Sequence, residues 1–392
     1  MMRRPGTIRR IRLRRVRLPL GMVYVSSMYV MDATERTVIE VETESGLTGL
    51  GETLGYAECF AQTARLARTL LGRDAADRQG FRQSFGRGVF DNRNGRIGWS
   101  AYAGLELALW DIAGKALDRP LAALLGGAVR QRIPLACPLP AVALDRPASR
   151  AEIAAIYRDH GQAAALGEQA AALAARHGFR AFKYKSAGAD VSWDVAAMAE
   201  LRRALGPEAA IRIDPNAAWP TARAVELAEA LRPHAPEWLE DPCDDREGLW
   251  RLRRATGMTV ATNMAVIQPD HIAPAVRQPC ADIWLADLFM WGGIEGWRDM
   301  AATAALFGVE VALHSLFETG IATAANLHLA AAHAQVTRAT DCGAVWLKHD
   351  VVEPAFVVRE GMLDLPTGPG LGVSLDPAAM ARAAVEERVI EP

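Results

Sequence analysis

Arg180-Ala181-Phe182-Lys183-Tyr184-Lys185, Ile211-Arg212-Ile213-Asp214-Pro215-Asn216 and Trp238-Leu239-Glu240-Asp241-Pro242 are the first three of six short apolar runs that each end in a polar or ionisable group. Val260-Ala261-Thr262-Asn263, Ile283-Trp284-Leu285-Ala286-Asp287 and Val311-Ala312-Leu313-His314 complete the series. From Lys185 through Asp214, Glu240, Asn263 and Asp287 to His314 the steps are 29, 26, 23, 24 and 27 residues. A strand, a loop and a returning helix need about that many, since an eight-unit barrel of about 250 residues averages about 30 per unit. Polar residues at the C-terminal ends of successive barrel strands converge on one face, where such barrels place their chemistry. Any one of these groups could be an ordinary strand-end hydrogen bond, but six in register predict a shared site.

Working outward, Ile133-Pro134-Leu135-Ala136-Cys137 is the expected first barrel strand and Ala344-Val345-Trp346-Leu347 the eighth. Ser149–His177 reads as a long alanine-rich helical region with Gly178 as its C-cap. Start signals place later helices after Ser192, at Thr221, at Gly292-Gly293 and over Thr319–His333. Towards the N-terminus the pattern changes. Thr37–Thr43 alternates, Glu44-Ser45-Gly46 turns, and Leu47–Glu52 returns, which is a hairpin. Helices are expected over Cys59–Leu71 and over Trp99–Leu117, where Leu105, Ala108, Leu109 and Ile112 form one apolar stripe. A sheet followed by helices is an α+β unit. The fold class is therefore α/β, a modified (β/α) barrel with an N-terminal α+β capping domain. The divisions are residues 1–130 for the cap, 131–360 for the barrel, and 361–392 for a Gly- and Pro-rich tail that returns to the cap.

Length and composition agree. At 392 residues the chain suits one barrel plus a smaller unit, and a 51% hydrophobic content supplies a large core. A formal net charge of −2 gives no general affinity for nucleic acid or anionic membrane. Met1–Leu20 is rich in arginine, but no apolar core of a signal peptide follows. Its alternation of Ile8, Ile11, Leu13, Val16 and Leu18 with Arg9, Arg10, Arg12, Arg14, Arg15 and Arg17 predicts a strand with one solvated arginine face rather than a nucleic-acid arm. The five cysteines are scattered, without metal-binding spacing, which fits a reducing, cytoplasmic location. No run reaches the length of a membrane span.

The chemistry follows from the donor types. Asp214, Glu240 and Asn263 are oxygen donors on three consecutive strands, suited to a hard cation such as Mg²⁺. Zn²⁺ would favour His or Cys. Lys183 and Lys185 are two apart on one strand and face the same side, so each ammonium should depress the other's pKa and fit a lysine to act as a base. Asp287 and His314 stand on neighbouring strands, where the carboxylate can hold one ring nitrogen and free the other for proton transfer. A metal flanked by a lysine and a histidine suits removal of a proton α to a metal-bound carboxylate, through a stabilised enediolate.

On these residues the chain resembles the enolase superfamily over nearly its whole length, in its mandelate racemase/muconate lactonizing enzyme type. The runs Phe182-Lys183-Tyr184-Lys185, Leu239-Glu240-Asp241-Pro242-Cys243 and Ala261-Thr262-Asn263-Met264 are most similar to the glucarate dehydratase branch. The resemblance implies Mg²⁺ held by Asp214, Glu240 and Asn263. It implies Lys185 as base on one face and His314, oriented by Asp287, as acid or base on the other. Lys183 would neutralise the substrate carboxylate, Asn216 would assist at metal or substrate, and loops near Gly21–Ala33 and Glu52–Tyr56 would close over the mouth. The tail motif Gly368-Pro369-Gly370-Leu371-Gly372-Val373 also looks like the family's.

Three departures concern specificity. Leu316-Phe317 follows His314-Ser315 where glucarate dehydratases carry an asparagine pair, which removes a polar contact to the far end of a diacid. Tyr24–Tyr29 does not match their first loop, and Lys348 stands near where racemase-like members carry a glutamate. The expected activity is Mg²⁺-dependent dehydration of a sugar acid, aldonate or aldarate, making the protein a lyase. The alternatives are a racemase or epimerase on the same scaffold, which bases on both faces permit, and a non-catalytic binding protein, against which the intact polar set argues. The expected partner is a small-molecule carboxylate, with no nucleic acid or membrane, in a homo-oligomer.

Overall fold

A strand whose buried face is Ile8, Ile11, Leu13, Val16, Leu18 and Leu20, and whose other face is arginine, begins the capping sheet. The computed structural model describes residues 6–87 and 95–392, so the first five residues of the arginine-rich segment lie outside the described residues. β1 (Ile8–Val25) pairs antiparallel with β2 (Val30–Thr43), which pairs with β3 (Thr48–Leu54). The arginines meet acids on the neighbouring strands: Arg10 and Glu42, Arg14 and Glu40, Arg15 with Glu35 and Glu386. That solvated ion-pair ladder is what the alternation predicted. Helix Gly95–Leu117 packs on the other face of the sheet. Its approach depends on two glycines of β3: a Cβ at Gly51 would lie 2.0 Å from the Gly104 carbonyl oxygen, and one at Gly49 2.1 Å from that of Ala108.

The barrel strands are β4 (Arg132–Leu139), β5 (Ala181–Lys185), β6 (Ala210–Asp214), β7 (Leu239–Glu240), β8 (Val260–Thr262), β9 (Ile283–Ala286), β10 (Glu310–Leu313) and β11 (Thr340–Asp341). They pair in parallel in the order β10-β9-β8-β7-β6-β5-β4-β11, a nearly closed eight-stranded barrel. Buried on both faces, these strands read as the continuous apolar runs of the sequence. Trp238, Ala261, Ile283, Leu285 and Ala312 fill the interior as a cluster separate from the main core.

The eighth strand corrects the sequence expectation. Ala344–Trp346 is a 3₁₀ turn, and β11 lies earlier, with Thr340 opposite Leu135 and Asp341 opposite Ala136. Gly343 leaves the strand where Phe317 packs against its backbone, so the apolar residues that follow cannot continue the ladder. The Ser149–His177 region is also not one helix. It breaks into Arg150–Ile156, a 3₁₀ turn His160–Ala163 and Ala164–His177, where the Asp159 side chain accepts from Gly161 N–H and starts a new turn. Gly178 caps the last piece at φ 75°. The helix expected after Ser192 begins at Val191, capped by Asp190.

β12 (Val352–Glu353) and β14 (Ser374–Leu375) form a small antiparallel pair beyond the barrel. Between them, β13 (Met362–Asp364) pairs antiparallel with β4. The tail then reaches the cap: Leu121 N–H donates to Gly370 O at 2.7 Å and Leu371 N–H to Asp111 Oδ1 at 2.8 Å. Finally β15 (Ala384–Ile390) pairs antiparallel with β1. The cap meets the barrel mouth through Ser27, whose hydroxyl donates to Pro215 O at 2.7 Å and whose N–H reaches Ser186 O at 3.2 Å. Among the described residues no helix is long and apolar enough to cross a membrane. All five cysteines are buried and unbridged.

Candidate active site

Side chains alternate along a strand, so Lys183 and Lys185, Arg212 and Asp214, and Trp238 and Glu240 all point to one side, into the barrel. At the mouth lies a cavity of about 530 Å³ whose lining includes Lys183, Lys185, Asn216, Asn263, His314 and Asp341, with Asp214 and Glu240 fully buried behind the two lysines. Lys183 Nζ donates to Glu240 Oε1 and, at 2.9 Å, to Asp341 Oδ2, with Asp214 Oδ2 at 3.4 Å. Lys185 Nζ donates to Asp214 Oδ2 and, at 3.0 Å, to Asn216 Oδ1. Asn263 Nδ2 donates to Glu240, and rotating that amide by half a turn would present its oxygen instead. All of these residues except the partly exposed Asn216 are buried.

Burial and charge set the protonation here. Burial raises the Glu240 carboxyl, and the neighbouring charges of Asp214 and Asp341 raise it further, well above the usual range. Burial alone would also raise Asp214, but Lys185 and Lys183 outweigh it and hold Asp214 low. The depression expected between the two ammoniums is present at Lys185, which Lys183 lowers, but it is not the largest influence. Burial lowers both, yet the carboxylates outweigh it: Asp341, Glu240 and Asp214 raise Lys183, and Asp214 raises Lys185 despite repulsion from Lys183. Opposite charge in a low-dielectric mouth beats the like-charge pair.

Across the barrel, His314 Nδ1 lies 3.6 Å from Asp287 Oδ2, beyond hydrogen-bonding distance, and is otherwise unpartnered. Asp287 is fixed in place because its Oδ1 accepts the backbone N–H groups of Phe289 and Met290, both at 2.8 Å. Burial, and then the Lys183 charge, lower the His314 pKa, while Asp287 and Asp341 favour the charged ring.

Three residues outside the sequence reading belong to this network. Asp341, at the end of β11, bridges Lys183 and Arg212, and its carboxylate lies with ligand atoms of Glu240 and His314 inside a 4.8 Å group. Lys348, expected near this position, does not line the cavity; its backbone N–H bonds Pro19 O. Arg212 is fully buried beneath the mouth, bonded to Asp341 Oδ1 at 2.9 Å, Glu237 Oε2 at 2.8 Å and Ala339 O at 2.9 Å, and stacked on Trp238 at 3.8 Å. Its signal was present: a charge between Ile211 and Ile213, two residues before Asp214, must face the interior. Asp241 accepts from Asn263 N–H at 2.6 Å and from Thr262 Oγ1, which aims the β8 end at Glu240.

Asp214, Glu240 and Asn263 fit a hard divalent cation. Two buried carboxylates and an amide converge, Glu240 is an acid that burial disfavours as a bare anion, and only a lysine ammonium stands between the carboxylates.

Comparison with known proteins covers both parts of the chain. Residues 165–379 match the "Enolase C-terminal domain-like" family, and residues 8–126 match the "Mandelate racemase / muconate lactonizing enzyme, N-terminal domain" family. A probable glucarate dehydratase of Streptomyces coelicolor is 32% identical, over 89% of this chain and 84% of its own length. Muconate cycloisomerase 1-1 of Acinetobacter lwoffii is 27% identical, over 96% of both chains. The crystal structure of an enolase from Thermobispora bispora, complexed with magnesium and formate, superposes with a TM-score of 0.85 at 32% identity, covering 96% of this chain and 92% of that one.

Proposed function

This chain belongs to the enolase superfamily, in the mandelate racemase and muconate lactonizing enzyme type, and from that premise we propose that it dehydrates a sugar acid, aldonate or aldarate. One observation carries the reading: Lys185 on β5 and His314 beyond β10 line one cavity from well-separated strands, with the Asp214, Glu240 and Asn263 donors on the strand ends between them. A substrate carboxylate seated on those donors would present its α-carbon to both proton-handling groups.

Asp214, Glu240 and Asn263 would hold Mg²⁺. Bound there, the cation would draw charge from the substrate carboxylate, acidify the adjacent C–H, and occupy the carboxylates that otherwise keep the lysines protonated. Lys183 neutralises the substrate carboxylate, and Asn216 orients it. Lys185, as the free amine, takes the α-proton. The bond to the β-hydroxyl breaks, His314 supplies the proton that makes water of the leaving group, and the enol left behind tautomerises to a 2-keto-3-deoxy acid. Asp287 orients His314 and steadies its charged form.

A racemase or epimerase is the second reading, favoured by the same pair of groups, since one can remove a proton that the other returns. Incubation with a panel of acid sugars in deuterium oxide with Mg²⁺ separates the two. Dehydration yields keto acid, while racemisation or epimerisation puts deuterium at the α-carbon of otherwise intact acid. No exchange and no product with any acid would refute both.

A further inference from the structure

Beyond the charged cluster the cavity changes character. Its walls include Leu54, Met264, Met290, Leu316 and Phe317, beside the acids Asp32 and Glu35 and the tyrosines Tyr24, Tyr29 and Tyr56. Phe317 is held there at a cost. Its backbone sits at φ 56°, a left-handed conformation unusual for a bulky residue. It stands edge-on to Tyr24, ring centres 4.6 Å apart, and Gly343 makes room for it, since a Cβ there would lie 2.8 Å from Phe317 Cδ1.

The cations of this outer part are already matched. Arg17 pairs with Asp32 at 2.9 Å. Arg36, buried, gives Nε to Glu52 Oε1 at 2.7 Å and stacks on Phe289 at 4.5 Å. Glu318 is buried within reach of the Arg36 charge, and burial raises its pKa to about 7. The guanidinium is itself almost wholly buried, so the charge it offers to the cavity is small. A second substrate carboxylate would join Glu52 and Glu318 around one guanidinium.

We propose that the substrate is a monocarboxylate whose far end carries hydroxyls and no charge, so that the site takes aldonates and rejects the matching aldarates. This rests on the sugar-acid reading and narrows it. The test pairs six-carbon aldonates, gluconate among them, with their aldarates, on the Mg²⁺-loaded enzyme. kcat/KM is compared within each pair, and calorimetry compares binding to the Lys185→Met protein, which holds the acid without consuming it. Burial of an unpaired carboxylate predicts a preference for the aldonate of at least about 100-fold in both measurements. Phe317→Asn offers an amide and suits the backbone, because asparagine tolerates positive φ, and it should narrow the preference by about tenfold. Leu316→Ser should act in the same direction without touching the strained residue. An aldarate that binds or reacts as well as its aldonate overturns the inference, as does failure of every aldonate to bind. Selective aldonate binding without α-proton exchange in the unmodified enzyme would instead overturn the proposed reaction and leave the selectivity standing.

Discussion

The arginine ladder of β1 and the charged mouth of the barrel use the same residue types in opposite ways. On the ladder, Arg15 stands 3.2 Å from Glu35 and 3.1 Å from Glu386, with about a quarter of its side chain exposed to solvent. Each partner there is wet, replaceable and screened. At the mouth, Lys183 touches three carboxylates while only 3% exposed, and Asp341 serves both Lys183 and Arg212. Solvent reaches the side chains of the first region and is largely shut out from those of the second. Pairing on the ladder therefore keeps a strand edge soluble, whereas pairing at the mouth holds reactive groups in chosen protonation states.

The largest effects should come from the mouth. Exhaustive chelation should abolish turnover and added Mg²⁺ restore it; full activity after EDTA would remove the metal from the picture. Lys185→Met and His314→Asn should each cut kcat by about 10²–10⁴. Solvent deuterium exchange at the α-carbon tells which group abstracts, because it must vanish in that variant; persistence in the double variant would mean a different base. The two losses need not add, since the groups act as one unit. Asp341→Ala leaves two buried cations short of a partner and should lower unfolding free energy by about 3 kcal/mol in denaturant titration. A change under about 1 kcal/mol would place the mouth in the same class as the ladder. Asp287→Asn disturbs only the orientation and charge of His314, so about one decade in kcat is expected, below the range for a group that itself transfers the proton. Arg15→Ala should be smallest, at about 1 kcal/mol or less, and should disappear near 1 M salt, where the screening length is about 3 Å.

Legibility in the sequence followed the same divide. Strand ends marked by an apolar run and a polar stop, such as Ile211–Asp214 and Ile283–Asp287, were readable because period and polarity agree. β11 was not, since two residues, Thr340-Asp341, carry no periodicity, and the apolar run Ala344–Leu347 lay close by. Asp341 went unseen with its strand. Spacing shows that Lys183 and Lys185 share a side and so repel each other, but says nothing of the carboxylates that strands β6, β7 and β11 bring against them. The proposed metal donors, by contrast, each close a strand of their own and stood out without knowledge of their neighbours. The break at Asp159–Gly161 was hidden by the alanines on both sides of it.

The pairing of β15 with β1 bears on how the molecule is made. Arg15 and Glu386 meet across 371 positions of sequence. During synthesis the barrel strands emerge before β15 does, so the capping sheet can be completed only after the barrel has had the opportunity to fold. Contacts of such long sequence separation form slowly, because chain-closure entropy must be overcome before they contribute. The same sheet carries the Tyr24–Tyr29 segment that roofs the cavity. The sheet that holds this segment is therefore complete only when β15 has joined β1.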